Sequence, residues 1–252
     1  MGGVVGMRYF VISDIHGNLE AFKAVLKASK KEKFDRVIFL GDVVGYGADP
    51  VKVCKLLKEM DPICVMGNHD ASVLNPKLLS WFNPYARFAL EWTAEHLTEE
   101  CKDYMREFPE KAKLDDMLIV HSNPYKPQSW EYILSRLDAL FYFQKTSEKV
   151  ILFGHTHIPV VYEYNPEEDN TASISPVGRE IQLDIENMRY MLNPGSVGQP
   201  RDNDPRAAYG ILDTDKWTFT VKRVDYDIEK AAQKIIEAGL PQFLAHRLYT
   251  GE

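Results

Sequence analysis

Seven histidines occur in the chain, and five of them fall in short blocks with Asp, Asn and Gly. The blocks are "SDIHGN" with Asp14 and His16, "LGDVVGYG" with Asp42, "MGNHD" with Asn68, His69 and Asp70, "VHSNP" with His121, and "FGHTH" with His155 and His157. Imidazole, carboxylate and one amide oxygen, without thiolate, suit two-plus ions such as Mn, Fe, Zn, Ni or Co rather than a closed structural zinc site. Asp14, His16, Asp42, Asn68, His69, His121, His155 and His157 are too many for one tetrahedral ion. They suffice for two divalent ions sharing a carboxylate, ~3.5–4 Å apart, the arrangement used for in-line displacement at phosphorus. His155 and His157 stand two residues apart, so they share a face only on extended chain. An extended segment leaving a strand end is expected there, with Thr156 facing away. His96 and His246 lie outside every block and read as surface or hydrogen-bonded core residues.

The elements that must position these groups are legible as apolar runs. "RYFVIS" (8–13), "DRVIFL" (35–40) and "PICVM" (62–66) read as buried strands. Between them "NLEAFKAVLKAS" (18–29) and "DPVKVCKLLKEM" (49–60) have helical spacing, with Asn18 and Asp49 as caps and Pro50 as a first helical residue. Strand, helix, strand, helix, strand predicts a parallel sheet with covering helices. A long helical stretch is expected over about 69–107, and a helix over about 130–143 between strands at 116–121 and 149–155. Beyond 157, short segments with partial alternation, separated by Gly, Pro, Asn and Asp, predict antiparallel sheet. A last helix is expected from Ile228 to about Ala238, and 165–176 is expected as a mobile loop. Each metal-binding block therefore follows a strand, and sites in open α/β sheets form at strand carboxyl ends.

The chain has 252 residues, 45% of them hydrophobic, enough for one substantial core in a single domain spanning 1–252. A formal charge of -7 disfavours general affinity for nucleic acid, because phosphate contacts need clustered Lys and Arg. The apolar runs are too short to span a membrane. Residues before Arg8 read as a loose leader without a signal-peptide pattern. Cys54, Cys64 and Cys101 form no CxxC pattern and read as free, mostly buried thiols in a reducing cytoplasm.

Taken in order, "SDIHGN", "LGDVVGYG", "GNHD", "VHSNP" and "GHTH" resemble the calcineurin-like metallophosphoesterases, and "LNPGSVGQPR" (192–201) is similar to their small bacterial and archaeal phosphodiesterase branch. The resemblance implies a four-layer α/β/β/α sandwich, here with a helical insert at about 71–110. It implies that Asp14, His16 and His157 hold one metal, that Asn68, His121 and His155 hold the other, and that Asp42 bridges them. A hydroxide between the ions would attack phosphorus, His69 would protonate the leaving oxygen, and Asp70 would orient His69. Many relatives carry a second Asp in the GDxxD block to support that histidine; this chain has Gly45 there.

Five further residues are candidates for substrate contact. Asn193 and Ser196 in "NPGS" could bond a ligand histidine or a phosphate oxygen, or simply build a turn. Arg201 and Arg206 could clamp phosphate. Tyr46 could stack on a base or ring, or pack. In the insert, Trp81, Phe82, Tyr85, Phe88 and Trp92 read mostly as core, with part of the stripe roofing the site. The resulting expectation is a two-metal phosphodiesterase for small phosphorylated molecules or nucleotides, cytoplasmic, with a homo-oligomer allowed. The alternatives are a catalytically silent scaffold or binding module of the same fold, and a phosphomonoesterase, protein phosphatase or nuclease with the same chemistry.

Overall fold

The computed structural model describes residues 6–252; residues 1–5 of the expected leader lie outside them. The strands are β1 (Arg8–Ile12), β2 (Arg36–Phe39), β3 (Ile63–Cys64), β4 (Lys111–Leu114), β5 (Met117–Val120), β6 (Val150–Leu152), β7 (Val160–Asn165), β8 (Asn170–Ile174), β9 (Glu180–Gln182), β10 (Arg189–Asn193), β11 (Ala207–Asp213) and β12 (Thr218–Val224). The helices are α1 (Leu19–Ser29), α2 (Pro50–Lys58), α3 (Asn68–Leu74), α4 (Pro84–His96), α5 (Glu99–Arg106), α6 (Arg136–Phe143), α7 (Ile228–Glu237) and α8 (Gln242–Thr250). They build two mixed sheets, in the orders β3-β2-β1-β11-β12-β9 and β4-β5-β6-β10-β7-β8.

The period-2 alternation of β1 decides the layering. Phe10 and Ile12 point to one face, where Phe22 and Val25 of α1 and Val53 and Leu57 of α2 cover them. Tyr9 and Val11 point to the other, where they meet Ile119, Val150, Leu152 and Leu192 of the second sheet. The far side of that sheet, through Leu118, Ile151, Phe153 and Met191, is covered by Ala139, Tyr142 and Phe143 of α6. The order is therefore helix, sheet, sheet, helix: the four-layer sandwich that the resemblance implies.

Several expectations about elements are corrected. The stretch 69–107 is not one helix but α3, a 3-10 segment (Pro76–Trp81), α4 and α5, because Pro76 and Pro84 each start a new element. The helix expected over 130–143 begins only at Arg136, where Ser135 and Asp138 form a capping box. Residues 170–174 of the expected mobile loop are β8, paired with β7. A second C-terminal helix, α8, follows α7. Pro50 does open α2, but Asp49 makes no capping bond; its carboxylate pairs with Lys52 at 2.8 Å and Lys234 at 2.6 Å. Most of the aromatic stripe is not core: Trp81, Tyr85 and Phe88 are exposed, while the small Ala86 and Ala89 face inward with Leu90. The cysteines are free, with Cys54 and Cys101 buried. Among the described residues no helix is long and apolar enough to cross a membrane.

Candidate metal centre

Strands β1, β2 and β3 run parallel in one sheet, and β5 and β6 run parallel in the other. Their carboxyl ends meet at one edge of the sandwich. The loops there are stitched together by backbone bonds from Asp14 N–H to Gly41 O, His16 N–H to Asp42 O, and Gly154 N–H to His121 O. Asp14, His16, Asp42, Asn68, His69, His121, His155 and His157 are all buried.

Asp14, His16, Asp42, His155 and His157 have φ of 53°, 51°, 62°, 65° and 62°. Non-glycine residues held in the left-handed region cost of order ~1–3 kcal/mol each and persist where the surroundings impose them, commonly at functional sites. This also corrects the extended reading of "GHTH". The two histidines do not share a strand face; each is turned inward by its own left-handed kink beyond β6.

The imidazoles are held alike. Nδ1 of His16 donates to Val44 O at 3.0 Å, Nδ1 of His121 to Leu40 O at 2.7 Å, Nδ1 of His157 to Gln199 O at 2.5 Å, and Nε2 of His155 to Trp130 O at 2.9 Å. A carbonyl accepts only, so each of these nitrogens carries a proton and the opposite nitrogen faces inward, as a lone pair wherever the ring is neutral. The inward nitrogens of His16 and His157 lie 3.1 Å apart, as do those of His121 and His155. In the His16–His157 couple two lone pairs at that distance repel unless a cation lies between or beside them; in the other couple a proton on His121 can bridge to His155 until a metal takes its place.

Oxygens complete both groups. Oδ1 of Asp14 lies 3.2 Å from His157 Nε2 and is buried without a hydrogen-bond partner. Oδ2 of Asp42 lies 3.7 Å from His16 Nε2 and 3.4 Å from His121 Nε2. Asn68 Oδ1 lies 3.1 Å from His121 Nε2. The donor set thus falls into Asp14, His16 and His157 on one side, Asn68, His121 and His155 on the other, and Asp42 between. His155 and His157 stand on different sides. The orphaned Asp14 oxygen and the inward-facing imidazole nitrogens fit divalent cations at both positions.

The electrostatics agree with neutral, ligand-ready rings. Burial pushes His155 down to about 3 and His69 to about 4, and holds His16 and His157 well below the ordinary histidine value. His121 differs: burial opposes its charge, but Asp42 outweighs that and raises it to about 9. Asp42 is correspondingly held well below the usual carboxylate range; burial works the other way and the His121 pairing wins.

His69 packs edge-on against three rings, His16 at 4.6 Å, Tyr46 at 4.6 Å and Phe82 at 5.0 Å. Its Nδ1 is buried without a partner, and its backbone N–H donates to Asp42 Oδ1 at 2.9 Å. The role expected for Asp70 is therefore corrected. Its carboxylate accepts from the amides of Asp42 at 2.8 Å, Val43 at 2.9 Å and Gly67 at 3.2 Å, which fixes the loop carrying Asp42 rather than the ring of His69. Gly45 explains why no Asp stands in its place: at φ +140°, an added Cβ would lie 2.4 Å from His69 Nδ1 and 2.7 Å from His16 Nδ1.

Two of the five candidate substrate residues reach the site. Tyr46 packs its ring on His16 at 4.6 Å and accepts from Arg201, whose guanidinium lies 3.2 Å from the phenol oxygen and 2.9 Å from Gln199 Oε1. The other three are corrected. Asn193 donates to Gly154 O at 2.9 Å and Thr156 Oγ1 at 3.0 Å, so it braces the "GHTH" loop and is spent there. Ser196 donates to Asp14 O at 2.8 Å and accepts from Gln199 N–H at 2.8 Å. Arg206 is exposed and its guanidinium is held by Asp204 at 2.7 Å. Sequence reasoning missed Trp130, Tyr132 and Gln199. Trp130 and Gln199 act through backbone carbonyls, which carry no residue-type signature. Tyr132 lies flat on His155, ring centroids 4.0 Å apart at 13°, and was hidden by the expected helix. With Tyr46, Asn68, His69, Trp81 and Phe82 it lines a cleft of about 240 Å³.

Residues 7–217 match the model of a family described as the calcineurin-like phosphoesterase superfamily domain. The chain is 39% identical over 246 residues to an uncharacterized protein of Methanocaldococcus jannaschii, covering 96% of this chain and 97% of that one. Its structure resembles that of a metallophosphoesterase from Sphaerobacter thermophilus, with TM-score 0.86 and 38% identity, covering 98% of this chain and all (100%) of the other. A shorter match, 41% over 71 residues, is to a symmetrical bis(5'-nucleosyl)-tetraphosphatase of Buchnera aphidicola, covering 27% of this chain and 26% of that protein.

Proposed function

This chain belongs to the calcineurin-like phosphoesterase superfamily, and from that premise we propose that it is a metal-dependent phosphodiesterase acting on small phosphorylated molecules or nucleotides. The observation that carries the reading is the pair of imidazole couples, His16 with His157 and His121 with His155, each facing nitrogen to nitrogen at 3.1 Å around the Asp42 carboxylate. Two divalent ions held there would bring the pKa of a water near ~7 and offset the charge on a phosphoryl group.

The chain's own residues supply the rest. The backbone carbonyls of Val44, Leu40, Gln199 and Trp130 fix the tautomers and aim the lone pairs inward. Asp70 and Ser196 hold the loops of Asp42 and Asp14 by their backbones. His69, whose ring packs on His16 and whose backbone N–H donates to Asp42, would give a proton to the leaving oxygen. It is neutral in the free protein, since burial holds it at about 4, and the negative charge of a bound phosphate favours its protonated form. Arg201, half-buried between Tyr46 and Gln199, adds positive charge beside His157. The cleft, at about 240 Å³, suits a small ligand rather than a folded protein. The partial likeness to a dinucleoside tetraphosphatase supports a nucleotide-sized substrate.

Hydrolysis of bis-p-nitrophenyl phosphate with added Mn or Ni tests the proposal. Activity is expected in the wild type and at background level in Asp42→Ala. A wild type no faster than that variant would sink it.

A further inference from the structure

Large aromatic side chains rarely stay in water without a reason when they face a concave surface beside a reactive centre. Trp81 is 65% exposed and Tyr132 is 46% exposed, yet both line the cleft that ends on Asn68, His69 and His155. They come from separate segments. Trp81 closes the 3-10 segment Pro76–Trp81, ahead of α4. Tyr132 lies between the 3-10 turn at Pro127–Ser129 and α6.

The Tyr132 ring and the Trp81 segment are each held in a way that leaves something to bind. Tyr132 lies flat on the His155 imidazole at 4.0 Å and 13°, so one face is taken and the other is what its exposure consists of. Phe82, next to Trp81, is anchored edge-on against His69 at 5.0 Å, which holds the Trp81 segment at the cleft. Between Phe82 and α4, Asn83 uses its carbonyl oxygen to cap the helix, accepting from Tyr85 N–H at 3.1 Å and Ala86 N–H at 3.0 Å. Two acceptances fix the amide's orientation, so its NH2 is left as a hydrogen-bond donor at the cleft wall. The neighbouring Tyr85 and Phe88 do not contribute to this cleft; Tyr85 pairs with Phe243 on the outer side at 5.0 Å.

A cleft with exposed π-faces, one amide donor and a metal-ligating floor has the makeup of a site for a planar, nitrogen-bearing ring joined to phosphate. We infer that Trp81 and Tyr132 are specificity-determining residues that grip the base of a nucleotide while its phosphoryl group lies at the Asp42 centre. This deepens, and rests on, the phosphoesterase reading. A phosphoserine or phosphothreonine substrate would present no such ring, and an aliphatic phosphodiester would leave both faces in water.

The test is calorimetric titration of the Mn-loaded protein with AMP and with ribose 5-phosphate, which share sugar and phosphate and differ by the base. Stacking on aromatic side chains is expected to make AMP bind about tenfold more tightly than ribose 5-phosphate. Trp81→Ala and Tyr132→Ala should each bring that ratio toward one, and Trp81→Phe should retain most of it. The exposure of Trp81 makes its variants safe for folding. Metal-dependent binding of ribose 5-phosphate with no preference for AMP overturns the base grip and leaves the phosphoesterase reading standing. So does a preference that survives in both alanine variants. Binding of neither ligand in a metal-dependent way overturns the phosphoesterase reading and this inference with it.

Discussion

The Nε2 atoms of His16 and His157 face each other at 3.1 Å, while each ring's Nδ1 is committed to a backbone carbonyl. Neither nitrogen can donate to the other without breaking its outer bond. The pair is stable as neutral imidazoles only with a positive charge near both; in the His121–His155 pair, the raised His121 can supply that charge itself as a proton until a metal replaces it.

Metal content should therefore follow the two sides of the site. His157→Ala is expected to lower stoichiometry from two ions toward one, and Asp42→Ala to weaken both. Elemental analysis after dialysis against Mn, compared across the variants, checks this. Equal and full loading of all three proteins would place the ions elsewhere.

His69→Ala should separate chemistry from metal binding. A lost proton donor typically costs about 10²–10⁴-fold in rate, and the backbone bond from residue 69 to Asp42 Oδ1 survives the substitution. A large fall in kcat with unchanged metal content is the expected result. Metal loss in proportion to activity would make His69 a ligand instead.

Asp70→Ala should act first on stability. It strips acceptors from the buried amides of Asp42, Val43 and Gly67, and an unsatisfied buried donor costs about 1–3 kcal/mol. Urea denaturation should show the shift. A variant as stable as wild type but slow would restore the idea that Asp70 orients His69.

Gly45→Asp, which writes the common family residue into this chain, should be harmful rather than helpful. The new Cβ would lie 2.4 Å from His69 Nδ1 on a backbone at φ +140°, and strain of that kind costs roughly 1–3 kcal/mol. Lower melting temperature and lower kcat are expected together. A gain in activity would mean that the ring of His69 can move to accept a carboxylate.

The metal-free protein should be most stable near the ordinary histidine pKa of ~6.5. His155 and His69 are depressed to about 3 and about 4, so the unfolded chain binds more protons as pH falls below that value and stability drops. His121 is raised to about 9; its contribution is complete below ~6.5 and is lost as pH rises through the folded value. Melting temperature against pH in EDTA should show a maximum between these limbs. Stability that rises steadily from pH 6 to 9 would contradict the Asp42–His121 pairing.

How much was readable in advance depended on whether a group acts through its own side chain. Asp14, His16, Asp42, Asn68, His121, His155 and His157 could be singled out because metal chemistry needs those atoms, and strand-ending blocks predict where they gather. The apolar runs predicted a parallel half with covering helices followed by an antiparallel half; the four-layer order came from the family resemblance, and the two-faced burial of β1 decides it in the structure. The rest required the tertiary structure. That Asn193 and Ser196 brace loops, that Asp70 holds amides, and that Gln199 and Trp130 orient imidazoles through carbonyls depends on contacts such as Ser196 to Asp14, 182 residues apart. Their side chains look like those of substrate-binding residues, or like nothing in particular. Exposure of Tyr85 and Phe88 was likewise decided in three dimensions: helical spacing marks a stripe as apolar, but only the packing of small Ala86 and Ala89 against the core determines which face turns inward.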